Sequence, residues 1–274
     1  MSLSISFERR GAGDPIVLVH GIGSRWQVFG PILDALVDAG HEVLAIDLPG
    51  FGASSLPSGV APGPRGYADW LAGWLPEQGV ERPHVVGNSM GGAIALELGR
   101  RGLASAVTAF SPAGLWREPG LRWCQSMITT MRSAARVAGP VMGGAVDHRI
   151  GRQVLLSGFF GQPGKIDPDV ARADMAALAD SPAYAQARHA FSGYRLAPTD
   201  DPGALPHIPA TIAWGTRDVV LTHRTQSARA REVMPYVHHV DLPRCGHVPF
   251  NDDPSTCSRL VLADATAAAT KEPR

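Results

Sequence analysis

Gly87-Asn88-Ser89-Met90-Gly91-Gly92 follows the apolar run His84-Val85-Val86 and leads into Ala93-Ile94-Ala95-Leu96. A G-x-S-x-G between a strand and a helix is the setting of a nucleophile elbow, a turn so tight that the serine takes a strained backbone conformation. The glycines two before and two after Ser89 remove Cβ atoms that would collide there. Ser89 then stands at a helix N-terminus, where backbone N–H groups favour developing negative charge. The five-residue pattern alone arises by chance in about one chain in ten of this length, so its partners decide the reading.

A serine hydroxyl needs a base to take its proton, and histidine serves near neutral pH. In a strand–elbow–helix fold the chain order is serine, acid, histidine, which sets aside His20, His41 and His84. His247, in Arg244-Cys245-Gly246-His247-Val248-Pro249-Phe250, stands on a loop just after the last expected strand. His238 and His239 fall inside that strand, His223 begins a helix, and His148, His189 and His207 lie in or beside a helical insert. The acid that orients the imidazole is expected at Asp218, after Trp214-Gly215-Thr216-Arg217 and one helix and one strand ahead of His247. The alternative position, after the run ending at Phe110, offers Ser111-Pro112-Ala113 and no carboxylate. Asp252 and Asp253 precede Pro254 and are expected to start the last helix.

Two convergent N–H donors would complete such a site. Met90, after the serine, supplies one. His20-Gly21-Ile22-Gly23 follows an early strand and supplies the other through Ile22, although the same residues serve equally well as an ordinary βα turn. His20 is expected to hold this loop. Asp47-Leu48-Pro49-Gly50-Phe51-Gly52-Ala53-Ser54 reads as a bend with a structural role.

These residues need a sheet to position them. Short apolar runs at 15–20, 42–47, 84–87, 105–110 and 210–214 read as strands buried on both faces, and the more alternating 237–242 as an edge strand. Helical segments at 29–39, 67–78, 90–102 and 222–234 separate them, which implies βαβ units and a parallel sheet with its chemistry at the strands' carboxyl ends. The alternation breaks between 114 and 205, rich in Ala, Arg, Met and aromatics, with Gly/Pro breaks at Gly139-Pro140, Gly143-Gly144 and Pro163-Gly164. The expected division is a core of residues 1–113 and 206–274 and a helical cap of residues 114–205. Residues 263–274 read as a fraying helix end.

The 274 residues carry 25 basic and 25 acidic side chains and are 45% hydrophobic. A balanced charge favours neither nucleic acid nor an anionic surface. Three cysteines without CxxC spacing suit free thiols in a reducing cytosol. The N-terminus lacks a signal-peptide pattern and no apolar run is long enough to span a bilayer, so a cytoplasmic location is expected. Histidines and carboxylates are not at metal-ligand spacing, and no dinucleotide fingerprint appears, so neither metal nor cofactor is expected.

HGxG, DxPGxGxS, GxSxGG, WGxxD and GHxP occur here in the order in which they stand in the α/β-hydrolase superfamily, which the chain resembles over nearly its whole length. The resemblance implies a mostly parallel, eight-stranded sheet with a lid over the site. Haloalkane dehalogenases and epoxide hydrolases of that superfamily carry an aspartate where this chain has Ser89. Gly87-Asn88-Ser89-Met90-Gly91-Gly92 with Cys245-Gly246-His247 is similar to the carbon–carbon bond hydrolases of meta-cleavage pathways, which usually have a tryptophan where Val248 stands. The leading expectation is hydrolysis of a carboxylic ester through an acyl-enzyme. Hydrolysis of a vinylogous diketone, cofactor-free haloperoxidase or perhydrolase chemistry, and a non-catalytic ligand receptor are the alternatives. A small hydrophobic or aromatic substrate is expected, contacted by Trp116, Met127, Phe159, Phe160, Val219, Val248 and Phe250. The cap residues among these serve equally as the cap's own core.

Overall fold

Apolar runs that a parallel sheet buries on both faces become the strands of this protein. The computed structural model describes residues 4–142 and 144–271, with 138–142 as backbone only. The strands are β1 (Phe7–Arg10), β2 (Pro15–Val19), β3 (Glu42–Ile46), β4 (His84–Asn88), β5 (Ala106–Phe110), β6 (Ala210–Gly215) and β7 (His238–Leu242). They form one seven-stranded sheet in the order β1-β3-β2-β4-β5-β6-β7. All neighbours run parallel except β1, which pairs antiparallel with β3. Among the described residues the sheet therefore has one strand fewer than the eight the resemblance implies. No apolar run marks β1. Its Phe7-Glu8-Arg9-Arg10 lies at the sheet edge, where charged side chains are tolerated, and Arg9 pairs with Glu42 of β3 at 2.9 Å.

Three helices alternate with the early strands: α1 (Gly30–Asp38), α2 (Pro64–Glu77) and α3 (Met90–Arg100). Between β5 and β6 lie α4 (Glu118–Met142), α5 (Arg149–Leu155), α6 (Pro168–Asp180) and α7 (Tyr184–Ala190), with no strand among the described residues there. The expected break at Gly139-Pro140 does not stop α4, whose backbone stays helical to Met142, and Gly143 lies outside the described residues. After β6 comes a π-turn (His223–Ser227) leading into α8 (Ala228–Val233), and α9 (Pro254–Lys271) follows β7. Of the expected fraying tail, residues up to Lys271 are helical and 272–274 lie outside the described residues. Among the described residues no helix is long and apolar enough to cross a membrane.

The two-residue period of each strand divides the core. Val17 and Val19 of β2 join Leu44, Val85, Leu71 of α2 and Ile94 of α3 on one face. Ile16 and Leu18 join Val43, Val86, Ile32 of α1 and Val261 of α9 on the other. The chain leaves β2 for β3 on one side and returns to β4 on the opposite side. The crevice between the carboxyl ends of β2 and β4 is therefore the switch point where such sheets hold their ligands. Residues 20–24 and Ser89 flank it.

At the opposite end of the sheet a polar network crosses the α9 face. Thr108 and Thr211 donate to the two carboxylate oxygens of Asp264 at 2.6 and 2.9 Å, and His84 Nε2 lies 2.9 Å from the Thr108 hydroxyl. Burial pushes the Asp264 carboxyl up to about 6, against the pull of the two hydroxyl donors. The folded state thus binds a proton more tightly than the unfolded chain, so stability present at pH 4 is lost as pH rises through about 6. Asp264→Asn should remove this dependence. Urea unfolding between pH 4 and 6.5 should show the wild type losing on the order of 2–3 kcal/mol relative to the variant. Parallel pH profiles for the two proteins would contradict it.

Candidate active site

The elbow is built by backbone crowding. A Cβ on Gly87 would lie 2.1 Å from the Gly91 carbonyl oxygen, and one on Gly91 would lie 1.9 Å from that of Val19. Only hydrogen fits at either place. The turn between β4 and α3 consequently puts Ser89 at φ 58° and ψ −115°, a region costly for a residue with a side chain. Neighbouring strands hold it there: Ser89 N–H donates to Phe110 O at 2.9 Å, and Ala113 N–H donates to Ser89 O at 3.0 Å.

Asp218 and His247 come from the ends of β6 and β7. His247 Nδ1–H donates to Asp218 Oδ2 at 2.8 Å, which leaves Nε2 as the free acceptor. Asp218 Oδ1 accepts from the Val220 and Leu221 amides, both at 2.9 Å, so the carboxylate is fixed from both sides. Ser89, Asp218 and His247 are all buried. Ser89 and His247 face one cavity.

Met90 is the first residue of α3, so its amide has no acceptor within the helix. Residues 21–24 form a turn closed by Ser24 N–H to Gly21 O at 3.2 Å, with Gly23 at φ 71°. Ile22 is its second residue, whose N–H such a turn leaves unused. A Cβ on Gly21 would lie 3.0 Å from Ser89 Cβ, which places this backbone against the serine. His20 secures the turn. Its Nδ1–H donates to Gly21 O at 2.7 Å, and its Nε2 accepts from Leu48 N–H at 3.0 Å. Burial lowers the His20 pKa against the opposing charge of Asp47, consistent with the neutral imidazole these bonds require. Asp47 in turn accepts from Trp26 N–H at 2.6 Å and Ala53 N–H at 2.9 Å, and Gly52 leaves room for its carboxylate.

The cavity measures about 180 Å3 and is mainly apolar. Phe159, Phe160 and Val248 lie on its wall. Trp116, Met127, Val219 and Phe250 do not. Trp116 is buried against Phe191, and its Nε1–H donates to Tyr194 O. Phe250 packs between Phe29 and Phe110 beneath the sheet. Val219 is 40% exposed. Met127 is not among the wall residues of α4, which presents Cys124, Ile128, Met131 and Ala135 to the cavity, with Thr130 and Ala134 beside them. That three-and-four spacing is a helical stripe legible in the sequence. Asp174 and Leu178 of α6 add a second. Burial holds the Asp174 carboxyl above its ordinary range despite Arg25, whose Nε donates to it at 3.0 Å. Burial also pushes the Cys124 thiol up to about 12.

Two polar residues have structural parts that their sequence positions did not suggest. The Asn88 side-chain amide donates to Phe110 O at 3.1 Å and to His247 O at 2.9 Å, joining the elbow to the histidine loop. Asp252 does not start α9. Its buried carboxylate accepts from the Gly161, Gln162 and Gly246 amides at 2.7, 2.7 and 2.8 Å. Asp253 alone caps α9, through Thr256 N–H at 3.1 Å. Asp252→Ala strands three amide donors, that of Gly246 buried and those of Gly161 and Gln162 part-buried, at about 1 kcal/mol or more each, whereas Asp253→Ala removes one cap worth about 1 kcal/mol. Chemical denaturation should therefore show at least about 3 kcal/mol lost in the first and about 1 in the second. Equal losses would refute the clamp.

Residues 16–260 match the family described as "Alpha/beta hydrolase family". A 2-hydroxy-6-oxononadienedioate/2-hydroxy-6-oxononatrienedioate hydrolase of Paraburkholderia phymatum is 32% identical over 185 residues, covering 57% of this chain and 64% of that protein. This chain thus spans just under two thirds of that relative's length. Epoxide hydrolase EphH of Mycobacterium tuberculosis is 31% identical over 207 residues, 72% of this chain and 92% of that one. A thermophilic esterase from Thermogutta terrifontis shares the fold with a TM-score of 0.71 at 22% identity, over 97% of this chain and 94% of that one. With its ordered motifs, its sheet and a family match over most of its length, the chain belongs to the alpha/beta hydrolase family.

Proposed function

We propose that this protein is a serine hydrolase that cleaves an apolar carboxylic ester through an acyl-enzyme. The observation that carries the reading is His247, fixed by Asp218 and facing the same apolar cavity as a serine held at φ 58°. In the proposed cycle Ser89 Oγ attacks the ester carbonyl carbon while its proton passes to His247 Nε2. The amides of Met90 and Ile22 donate to the oxyanion. As the tetrahedral intermediate collapses, the C–O bond to the alcohol breaks and His247 returns the proton to the leaving oxygen. A water then repeats the sequence on the acyl-enzyme, releasing the acid and restoring Ser89. Asp218 orients the imidazole and stabilises its charged form. The cycle draws on the chain's own groups and water.

Residues 114–205 act in this reading as a cap over a core of residues 1–113 and 206–274, and they supply most of the cavity's apolar wall. The 31% identity to an epoxide hydrolase does not redirect the proposal. Opening an epoxide through an ester intermediate needs a carboxylate at the elbow, and Ser89 stands there. The identity to the Paraburkholderia dioate hydrolase favours a second reading, hydrolysis of a carbon–carbon bond in a vinylogous diketone.

Purified protein should hydrolyse p-nitrophenyl esters of graded acyl length without added metal. Ser89→Ala should lose at least about 10³-fold in kcat, and Asp218→Asn a comparable amount, with KM little changed. A folded Ser89→Ala that retains activity would sink the mechanism. Turnover of a vinylogous diketone with no turnover of any ester would transfer the proposal to carbon–carbon hydrolysis.

A further inference from the structure

The cavity wall is uneven in charge. Of its described lining residues Asp174 is the sole carboxylate, and neither lysine nor arginine is among them. Asp174 sits on α6 one turn before Leu178, and a Cβ on Gly23 would lie 2.4 Å from Leu178 Cδ1. Asp174 is therefore close to the turn of residues 21–24 that abuts Ser89. Arg25, which follows that turn, is its only hydrogen-bond partner among the described residues. Arg25 itself does not line the cavity. The pair presents its negative member inward and keeps its positive member behind.

We infer that Asp174, held by Arg25, makes this site select uncharged acyl groups and discriminate against substrates whose far end carries a carboxylate. The inference rests on the ester-hydrolase reading above. A second carboxylate entering the cavity meets a like charge across an apolar space, where screening is weak and no lysine or arginine receives it. Arg25 offsets part of the repulsion. Removing Arg25 therefore deepens the discrimination, and neutralising Asp174 relieves it.

The experiment compares p-nitrophenyl hexanoate with the p-nitrophenyl half-ester of adipate at pH 7.5, where the free carboxyl is ionised. The readout is the ratio of kcat/KM for the half-ester over the hexanoate, in which losses shared by both substrates cancel. Asp174→Asn should raise this ratio about tenfold, and Arg25→Gln should lower it severalfold. Thermal unfolding checks that both variants are folded. A ratio unchanged in Asp174→Asn, or moved the same way by both variants, overturns the inference while leaving the hydrolase reading intact. If the wild type turns over neither ester, the hydrolase reading fails and selectivity is read from binding. Calorimetry on Ser89→Ala should then show methyl hexanoate bound more tightly than monomethyl adipate, with the gap narrowing when Asp174→Asn is added. No preference there overturns the inference.

Discussion

Backbone must pass against backbone where the first turn of α3 crosses the end of β2. That contact, Gly91 over the Val19 carbonyl, dictates much of what surrounds it. It requires glycine at 87 and 91, and it drives Ser89 into a left-handed conformation. It also brings the start of α3 to the same crevice as the loop after β2. The strain of such a residue is of order 1–3 kcal/mol, and it persists because Phe110 and Ala113 hold the turn from the end of β5 and the segment after it, with Asn88 of β4 also bonded to Phe110 O. A sheet of parallel strands with helices on both faces is a stiff frame against which such a turn can be braced.

Around that crossing, the loops are fixed by buried acceptors more than by apolar packing. Asp47 gathers two amides, Asp218 two, and Asp252 three. A neutral His20 bridges Gly21 and Leu48. Each such residue satisfies donors that a loop would otherwise bury unpaired. These acceptors lie in loops at the carboxyl ends of the strands, so the site's precision comes from them, while the hydrophobic core sets only the position of the strand ends.

The sequence makes the strands from β2 onward, the elbow and the placement of Asp218 and His247 legible, because each depends on local rules: apolar runs, paired glycines, a loop after a strand. Edge strand β1 is not legible, since an exposed edge needs no apolar residue and Phe7-Glu8-Arg9-Arg10 has only one. Asp252 reads locally as a helix cap, and only the chain's return path brings it to Gly161 and Gln162, some ninety residues away. The cavity wall is partly legible. Aromatic side chains in the helical stretch suggested the lining, and Phe159 and Phe160 do line it, but Trp116 is spent on packing, and much of the remaining wall is one face of α4 whose stripe is read from spacing and not from aromatic residues.

The helices between β5 and β6 are attached to the sheet in two different ways. On one rim Asp252 binds the Gly161 and Gln162 amides, Val248 N–H donates to Phe159 O at 2.9 Å, and Arg217 donates to Gly161 O at 3.1 Å. On the other, α6 rests on Gly23 through Leu178 and on Arg25 through an ion pair whose side chains are 18% and 20% exposed. A partly solvated ion pair weakens with salt more than hydrogen bonds between a buried carboxylate and backbone amides do. The two sides of the cavity are therefore tied by unlike bonds, and ionic strength acts on the α6 side before it acts on the histidine side.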